Sequence, residues 1–190
     1  MSTLCTAAEL ADRLLRGEAA LFPTDTLPAL ASRPEHAAQI WEIKQRPQDK
    51  PLILMGSSAE ELWHWLGEPP DPAWQRLALR HWPGALTLVV PAARERVAPL
   101  HPGGQSIGLR VPACGQAREL LRLSGPLATT SANRSGEAPC LSAEEAGERF
   151  PQVARLGPAP WPEPLGQAST VLRWCASGDW QVLRHGAVLP

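Results

Sequence analysis

The sequence predicts an α/β fold in which a mixed sheet carries flanking helices. Three observations lead there. Short apolar runs of strand length alternate with segments of helical spacing, the pattern of a sheet with helices packed on it. The last two strand runs are joined through Ala176-Ser177-Gly178-Asp179, which reads as a hairpin and makes the sheet mixed rather than purely parallel. The length of 190 residues suits one domain, residues 1–190, with a proper core.

Each element has a local reason. Thr6-Ala7-Ala8-Glu9 is a capping box, followed by apolar spacing at Leu10, Leu14 and Leu15 and a stop at Gly17. Glu18 to Pro23 reads as a strand. Pro34 opens a helix that runs to about Gln45, with Ala38, Ile40, Trp41 and Ile43 as inward positions. Pro51 to Met55 is a buried strand. Ser57-Ser58-Ala59-Glu60 and Asp71-Pro72 each start a helix. Ala85 to Val90 and Ser106 to Val111 are strands, and a helix follows from about Cys114 to Leu123. Leu127 to Thr130 re-enters the sheet, and Ser142 caps another helix. Ser169 to Trp174 and Trp180 to Arg184 form the hairpin. Gly157 to Gly166 is Pro-rich and reads as a loop within the domain.

Composition narrows the function classes. With 44% hydrophobic and 19% charged residues the chain is of the globular class, and a net charge of -1 does not point to a nucleic-acid partner. No apolar run reaches the roughly 20 residues that span a bilayer. Met1 to Ala11 lacks a basic stretch followed by an apolar one, so no signal peptide is expected and a cytoplasmic site is. Cys5, Cys114, Cys140 and Cys175 lie far apart and are expected to be buried free thiols. The five histidines show no metal-ligating spacing, so no protein metal site is expected. The tryptophans are expected to anchor packing.

The lysines are distributed unevenly. Of 18 lysines and arginines only two are lysine, Lys44 and Lys50, and both fall in K-Q-R-P-Q-D-K. A compact ammonium is not interchangeable with a guanidinium where a site is shaped for it. Chance clustering on a solvated, dipole-satisfying turn is the plain alternative. Four further segments place polar groups beside strands, where ligand sites of open α/β sheets collect. They are F-P-T-D-T with Thr24, and Ser106 with Arg110 on one strand face. The others are T-T-S-A-N-R-S-G with Ser131 and Asn133, and Ser169 with Arg184 around the hairpin. A turn, a salt-bridge partner and a plain loop are the competing structural readings for the first three.

In this order the segments resemble the YrdC family of threonylcarbamoyl-AMP synthases. The match runs through F-P-T-D-T, I-K-Q-R-P-Q-D-K-P-L-I-L, W-P-G-A-L-T-L-V-V, I-G-L-R-V-P, P-L-A-T-T-S-A-N-R-S-G, S-T-V and L-R-H-G-A. The resemblance implies a twisted sheet with a concave cavity. It implies that L-threonine, bicarbonate or CO2, and ATP give threonylcarbamoyl-AMP and pyrophosphate, for threonylcarbamoyl-adenosine modification of tRNA. It assigns ATP to Lys44, Arg46, Lys50, Ser106, Ser131, Asn133 and Arg184, and threonine to Thr24, Arg110 and Ser169. Catalysis would rest on positioning by Lys44, Arg46 and Lys50. Mg²⁺ would come with ATP, without a dedicated protein cage, and a tRNA-modifying transferase complex would take the product. The chain is expected to be the single-domain bacterial form. A non-catalytic member of the same fold, binding tRNA or rRNA, is the second reading, and a carbamoyl-adenylate enzyme of hydrogenase maturation the third.

Two departures stand out. The family follows P-T-x-T with a hydrophobic residue, an aromatic and glycine, whereas this chain has Leu27-Pro28-Ala29-Leu30. Proline fixes φ and alanine resists positive φ, so this loop is expected to take its own path. Glu137 stands near the nucleotide loop, where some relatives carry a cation.

Overall fold

Ten strands form one sheet in the computed structural model, which describes residues 2–189. In chain order they are β1 Leu4–Cys5, β2 Ala20–Phe22, β3 Ala29–Ser32, β4 Ile53–Met55, β5 Leu86–Pro91, β6 Ser106–Arg110, β7 Leu127–Ser131, β8 Ala154–Leu156, β9 Thr170–Trp174 and β10 Trp180–Arg184. The helices are α1 Ala7–Leu15, α2 Ala38–Lys44, α3 Ala59–Leu66, α4 Pro72–His81, α5 Arg94–Val97, α6 Gly115–Ser124 and α7 Ala143–Arg149. The sheet order is β1-β8-β2-β3-β7-β4-β6-β5-β9-β10, with parallel and antiparallel neighbours both present. The expected mixed sheet is therefore the observed one.

The helix starts follow their caps. Thr6 and Glu9 close the capping box, and Ser58, Asp71 and Ser142 accept backbone N–H groups at the starts of α3, α4 and α7. Several expectations need correction. The Pro34 segment is a 3-10 turn over Pro34–His36 before α2, which shifts the helical phase, so Ala37 is buried and Ala38 exposed. Leu27-Pro28-Ala29-Leu30 is not all loop: β3 begins at Ala29 and pairs with β2 and β7. Ala29 lies in extended backbone, so nothing there demands glycine. Pro28 has no N–H to lose in the ladder, and its carbonyl accepts from Ala132 N at 2.8 Å. The strands β1 and β8 are only two and three residues long, too short to show a period. Cys175 is half-exposed, whereas Cys5, Cys114 and Cys140 are buried as expected.

Alternation along the strands divides the core. Leu21, Leu30, Leu54, Leu88, Leu109 and Leu172 point to one face and pack under residues of α2, α3, α4 and α7. Ala20, Phe22, Ala29, Ala31, Met55 and Leu127 point to the other, under α1 and α6. These two helices cover the sheet from β1 to β7 and reach the Met55 end of β4. The same face of β6, β5 and β9 and the rest of β4 opens onto a cavity. The buried tryptophans act as anchors: Trp41, Trp82 and Trp161 each donate their indole N–H to a backbone carbonyl. Leu54 is fully buried in a central strand of the covered face. Leu54→Ala is expected to cost about 3 kcal/mol in urea unfolding, as a large-to-small change in a packed core does. A cost below about 1 kcal/mol would show that this face is not closed.

Candidate functional site

The uncovered half of the sheet is the floor of a cavity of about 320 Å³. Its floor residues alternate with the apolar ones beneath: Ile53 and Met55 on β4, Thr87 and Val89 on β5, Ser106, Gly108 and Arg110 on β6. Thr129, Ile53, Gly108, Val89 and Arg173 lie in one register row across β7, β4, β6, β5 and β9. Gly108 gives that row its depth, because a Cβ there would stand 3.3 Å from Thr87 Cγ2 and 3.4 Å from Ile53 Cγ1. The walls are Thr26, Leu27 and Ala29, then Arg46, Pro51 and Leu52, and the hairpin with Ser169 and Arg184.

The lining carries four arginines, Arg46, Arg110, Arg173 and Arg184, and one histidine, His101, but no carboxylate. In a chain of net charge -1 that is a local excess of cations. A larger groove of about 690 Å³ lies between α3 and α4. It offers Trp63, Leu79, Glu60 and Glu68 without convergent donors, so the smaller cavity is the better candidate.

Arg110 is 3% exposed, and each of its three side-chain nitrogens makes a hydrogen bond. Its guanidinium donates to Asp25 Oδ1 at 2.7 Å, to Thr26 Oγ1 at 2.7 Å and to Gly84 O at 3.0 Å. The anion that this strand position calls for is therefore internal, supplied by the aspartate of F-P-T-D-T. Burial pulls the Arg110 pKa down while Asp25 holds it up.

Thr24 is placed differently from its neighbour. Its hydroxyl donates to Leu27 O at 2.7 Å and accepts from the N–H groups of Thr26 and Leu27. It closes the turn and is not part of the cavity lining; Thr26 is. The Thr24 hydrogen goes to the carbonyl and both lone pairs to the two backbone N–H groups, so Thr24 is saturated and its 3.1 Å approach to Thr26 Oγ1 assigns no donor. Thr26 accepts from Arg110. Of the two hydroxyls, the one that reaches the cavity is that of Thr26, two residues on from the expected Thr24.

Lys44 is likewise not on the wall. It is 1% exposed, and its ammonium donates to Ser131 O, Asn133 O and Asn133 Oδ1 at 2.6, 2.6 and 2.7 Å. Three acceptors use all three N–H groups. Desolvation lowers its pKa to about 7, with Arg46 repelling it further. Asn133 is saturated too, accepting from Ser131 Oγ and Lys44 and donating to Arg134 O and Glu137 O. Both hold the 131–137 loop in shape, and the loop brings Ser131 to the cavity. Arg46 reaches the wall, bonded to Lys50 O at 3.4 Å and Pro51 O at 3.2 Å, while Lys50 is exposed and outside the lining. Ser169 accepts from Arg184 through its carbonyl at 3.0 and 2.8 Å, and its hydroxyl meets Thr87 Oγ1 at 2.8 Å. Glu137 pairs with Arg149, away from the cavity wall.

Of the expected residues, Arg46, Ser106, Arg110, Ser131, Ser169 and Arg184 converge on the cavity. Thr24, Lys44, Lys50 and Asn133 do not. Thr26, Thr87, Arg173 and His101 were missed. Arg173 was within reach of sequence reading, since Ser169, Val171 and Arg173 alternate on one strand face.

Comparison with known proteins agrees with this architecture. The chain is 34% identical to a threonylcarbamoyl-AMP synthase of Bacillus subtilis over 95% of its length, which is 53% of that relative. It is 38% identical to the Stenotrophomonas maltophilia protein of the same name, over 72% of this chain and 76% of that one. Among solved structures, Pyrococcus abyssi Sua5 complexed with L-threonine superposes with a TM-score of 0.86 at 29% identity, covering 98% of this chain and 57% of that one. The chain thus spans about half the length of the Bacillus and Pyrococcus relatives. The family model described as Sua5_yciO_yrdC, telomere recombination, matches residues 12–186. By that match and these identities, the chain belongs to the Sua5/YciO/YrdC family.

Proposed function

We propose that the cavity binds ATP and L-threonine and forms threonylcarbamoyl-AMP with release of pyrophosphate. The observation that carries this reading is a cavity lined by four arginines and no carboxylate, on a sheet face that helices leave open. Such a site favours polyanions. Its volume is at the small end of ordinary ligand pockets, which run from about 300 Å³ upward. The relatives' names agree with it, and so does the threonine bound to Pyrococcus Sua5.

The chemistry suits these groups. The free threonine amine attacks CO2, gives up one proton to solvent and becomes a carbamate. A carbamate oxygen attacks the α-phosphorus, the bond to the bridging oxygen breaks, and pyrophosphate leaves with the electron pair. Thr26, held on the cavity lining by Arg110, offers the amine a hydroxyl partner. Arg46 and Arg184 face the phosphates, where they counter charge that builds on the leaving group. No covalent enzyme intermediate is needed, and alignment of two bound substrates supplies on the order of 7–11 kcal/mol. Mg²⁺ would enter on the triphosphate, since the wall offers hydroxyls and carbonyls rather than carboxylates to hold it. We place the reaction in the cytoplasm, with the product passing to a tRNA-modifying transferase complex. Among the described residues no helix is long and apolar enough to cross a membrane.

Incubation with ATP, L-threonine and bicarbonate is expected to release pyrophosphate in a threonine-dependent manner. Gly108→Val, which fills the floor, is expected to abolish both this release and calorimetric ATP binding while leaving the far-UV circular dichroism of the fold. Full ATP binding by the folded variant would place the site elsewhere.

Lys44 gives a test of its positioning role. Its folded pKa of about 7 lies below the ordinary lysine value of 10.5, so between the two the unfolded chain holds the extra proton. The contribution of this group therefore rises with pH across that window and is least favourable below pH 7. Wild-type unfolding free energy minus that of Lys44→Met, measured in urea at successive pH values, is expected to rise from pH 7 to about 9.5. A flat difference would show that Lys44 is not held in a desolvated place.

A further inference from the structure

The cations of the cavity differ in what they have left to give. Arg110 is spent on Asp25, Thr26 and Gly84. Arg184 is anchored by two bonds to Ser169 O. Arg46 is tied to the carbonyls of Lys50 and Pro51. The side chain of Arg173 has no hydrogen-bond or ion-pair partner among the described residues, although it lines the same cavity.

Placement argues against an incidental surface cation. Charged residues often guard exposed sheet edges, but β9 is not the edge strand; β10 covers it. Arg173 stands on the cavity face with Val171, at the end of the register row that starts at Thr129. Four strand spacings separate the ends of that row, about 19 Å. The loop carrying Ser131 thus lies at one end and Arg173 at the other, with only Gly108, Ile53 and Val89 between. Beside Arg173, the β10 pairing is irregular between Val182 and Arg184, as at a β-bulge. A bulge re-aims side chains, and here Leu183 and Arg184 both face the cavity. Two guanidiniums, one fixed at Ser169 and one free, therefore line the cavity from the hairpin side.

We propose that Arg173 is the residue that distinguishes a triphosphate from a monophosphate, gripping the terminal phosphates at the rim while Arg184 holds its fixed place beside them. This rests on the nucleotide reading above. A bidentate guanidinium suits phosphate oxygens, and the lack of an internal partner leaves Arg173 free to close on a ligand without breaking a bond.

Calorimetric titration of the full chain with ATP, inorganic tripolyphosphate, AMP and L-threonine tests it in wild type, Arg173→Ala and Arg173→Lys. Arg173→Ala is expected to weaken ATP and tripolyphosphate about tenfold or more, with AMP and threonine unchanged. Arg173→Lys, which keeps the charge but loses the fork, should fall between. Because the side chain is exposed, the variants are expected to keep the wild-type thermal midpoint. Wild type that binds ATP, with Arg173→Ala matching it or losing ATP and AMP equally, overturns the role of Arg173 alone. Loss of threonine affinity in Arg173→Ala overturns it as well. Wild type that binds no ATP overturns the nucleotide reading and this inference together.

Discussion

The site depends on one buried cation. Arg110 sits on a central strand with almost no exposure, and a charge so placed is tolerated only when paired and hydrogen-bonded. Its partners come from far along the chain: Asp25 and Thr26 from the segment before β3, and Gly84 from the turn before β5. Asp25 in turn accepts from Ala113 N, just past β6. The ion pair therefore ties the helix-covered half of the sheet to the open half. It also sets the direction of the Thr26 hydroxyl, which accepts from Arg110.

A second constraint is the anchoring of the 131–137 loop. Its carbonyl oxygens are drawn toward Lys44 at the end of α2, and Ser135 N donates back to Lys44 O at 3.2 Å. A guanidinium could not replace this ammonium, since three oxygens converge on one nitrogen. That gives the confinement of lysine to K-Q-R-P-Q-D-K a physical reason for one of the pair. Lys50 is exposed, and nothing in the structure explains why it is lysine.

Much of the architecture was legible because its signals are local. Caps at Thr6, Ser58, Asp71 and Ser142 mark helix starts, and the hairpin follows from its short connection. What was not legible depends on partners distant in sequence. β1 exists because it pairs with β8, β8 because it lies between β1 and β2, and Ala29 is a strand residue because β7 lies beside it. In the site, motifs located the right segments but not always the side chain that faces the cavity. Thr24 and Thr26 share one hydroxyl chemistry, and the turn alone decides which of them looks inward. Asn133 and Lys44 carry ligand-binding groups that the fold spends on itself.

The alternation of the open half-sheet has a consequence for how the molecule tolerates change. On β5 and β6, neighbouring residues serve separate masters: Leu88 and Leu109 lie in the core, while Thr87, Val89 and Gly108 meet the cavity. Substitutions on one set need not disturb the other, because the backbone plane separates them. The lineage can thus retune what the cavity accepts, residue by residue, against a constant hydrophobic foundation. Arg110 is the exception, since its loss would unseat loops as well as empty the floor, so this position is where drift in ligand preference and loss of the fold become the same event.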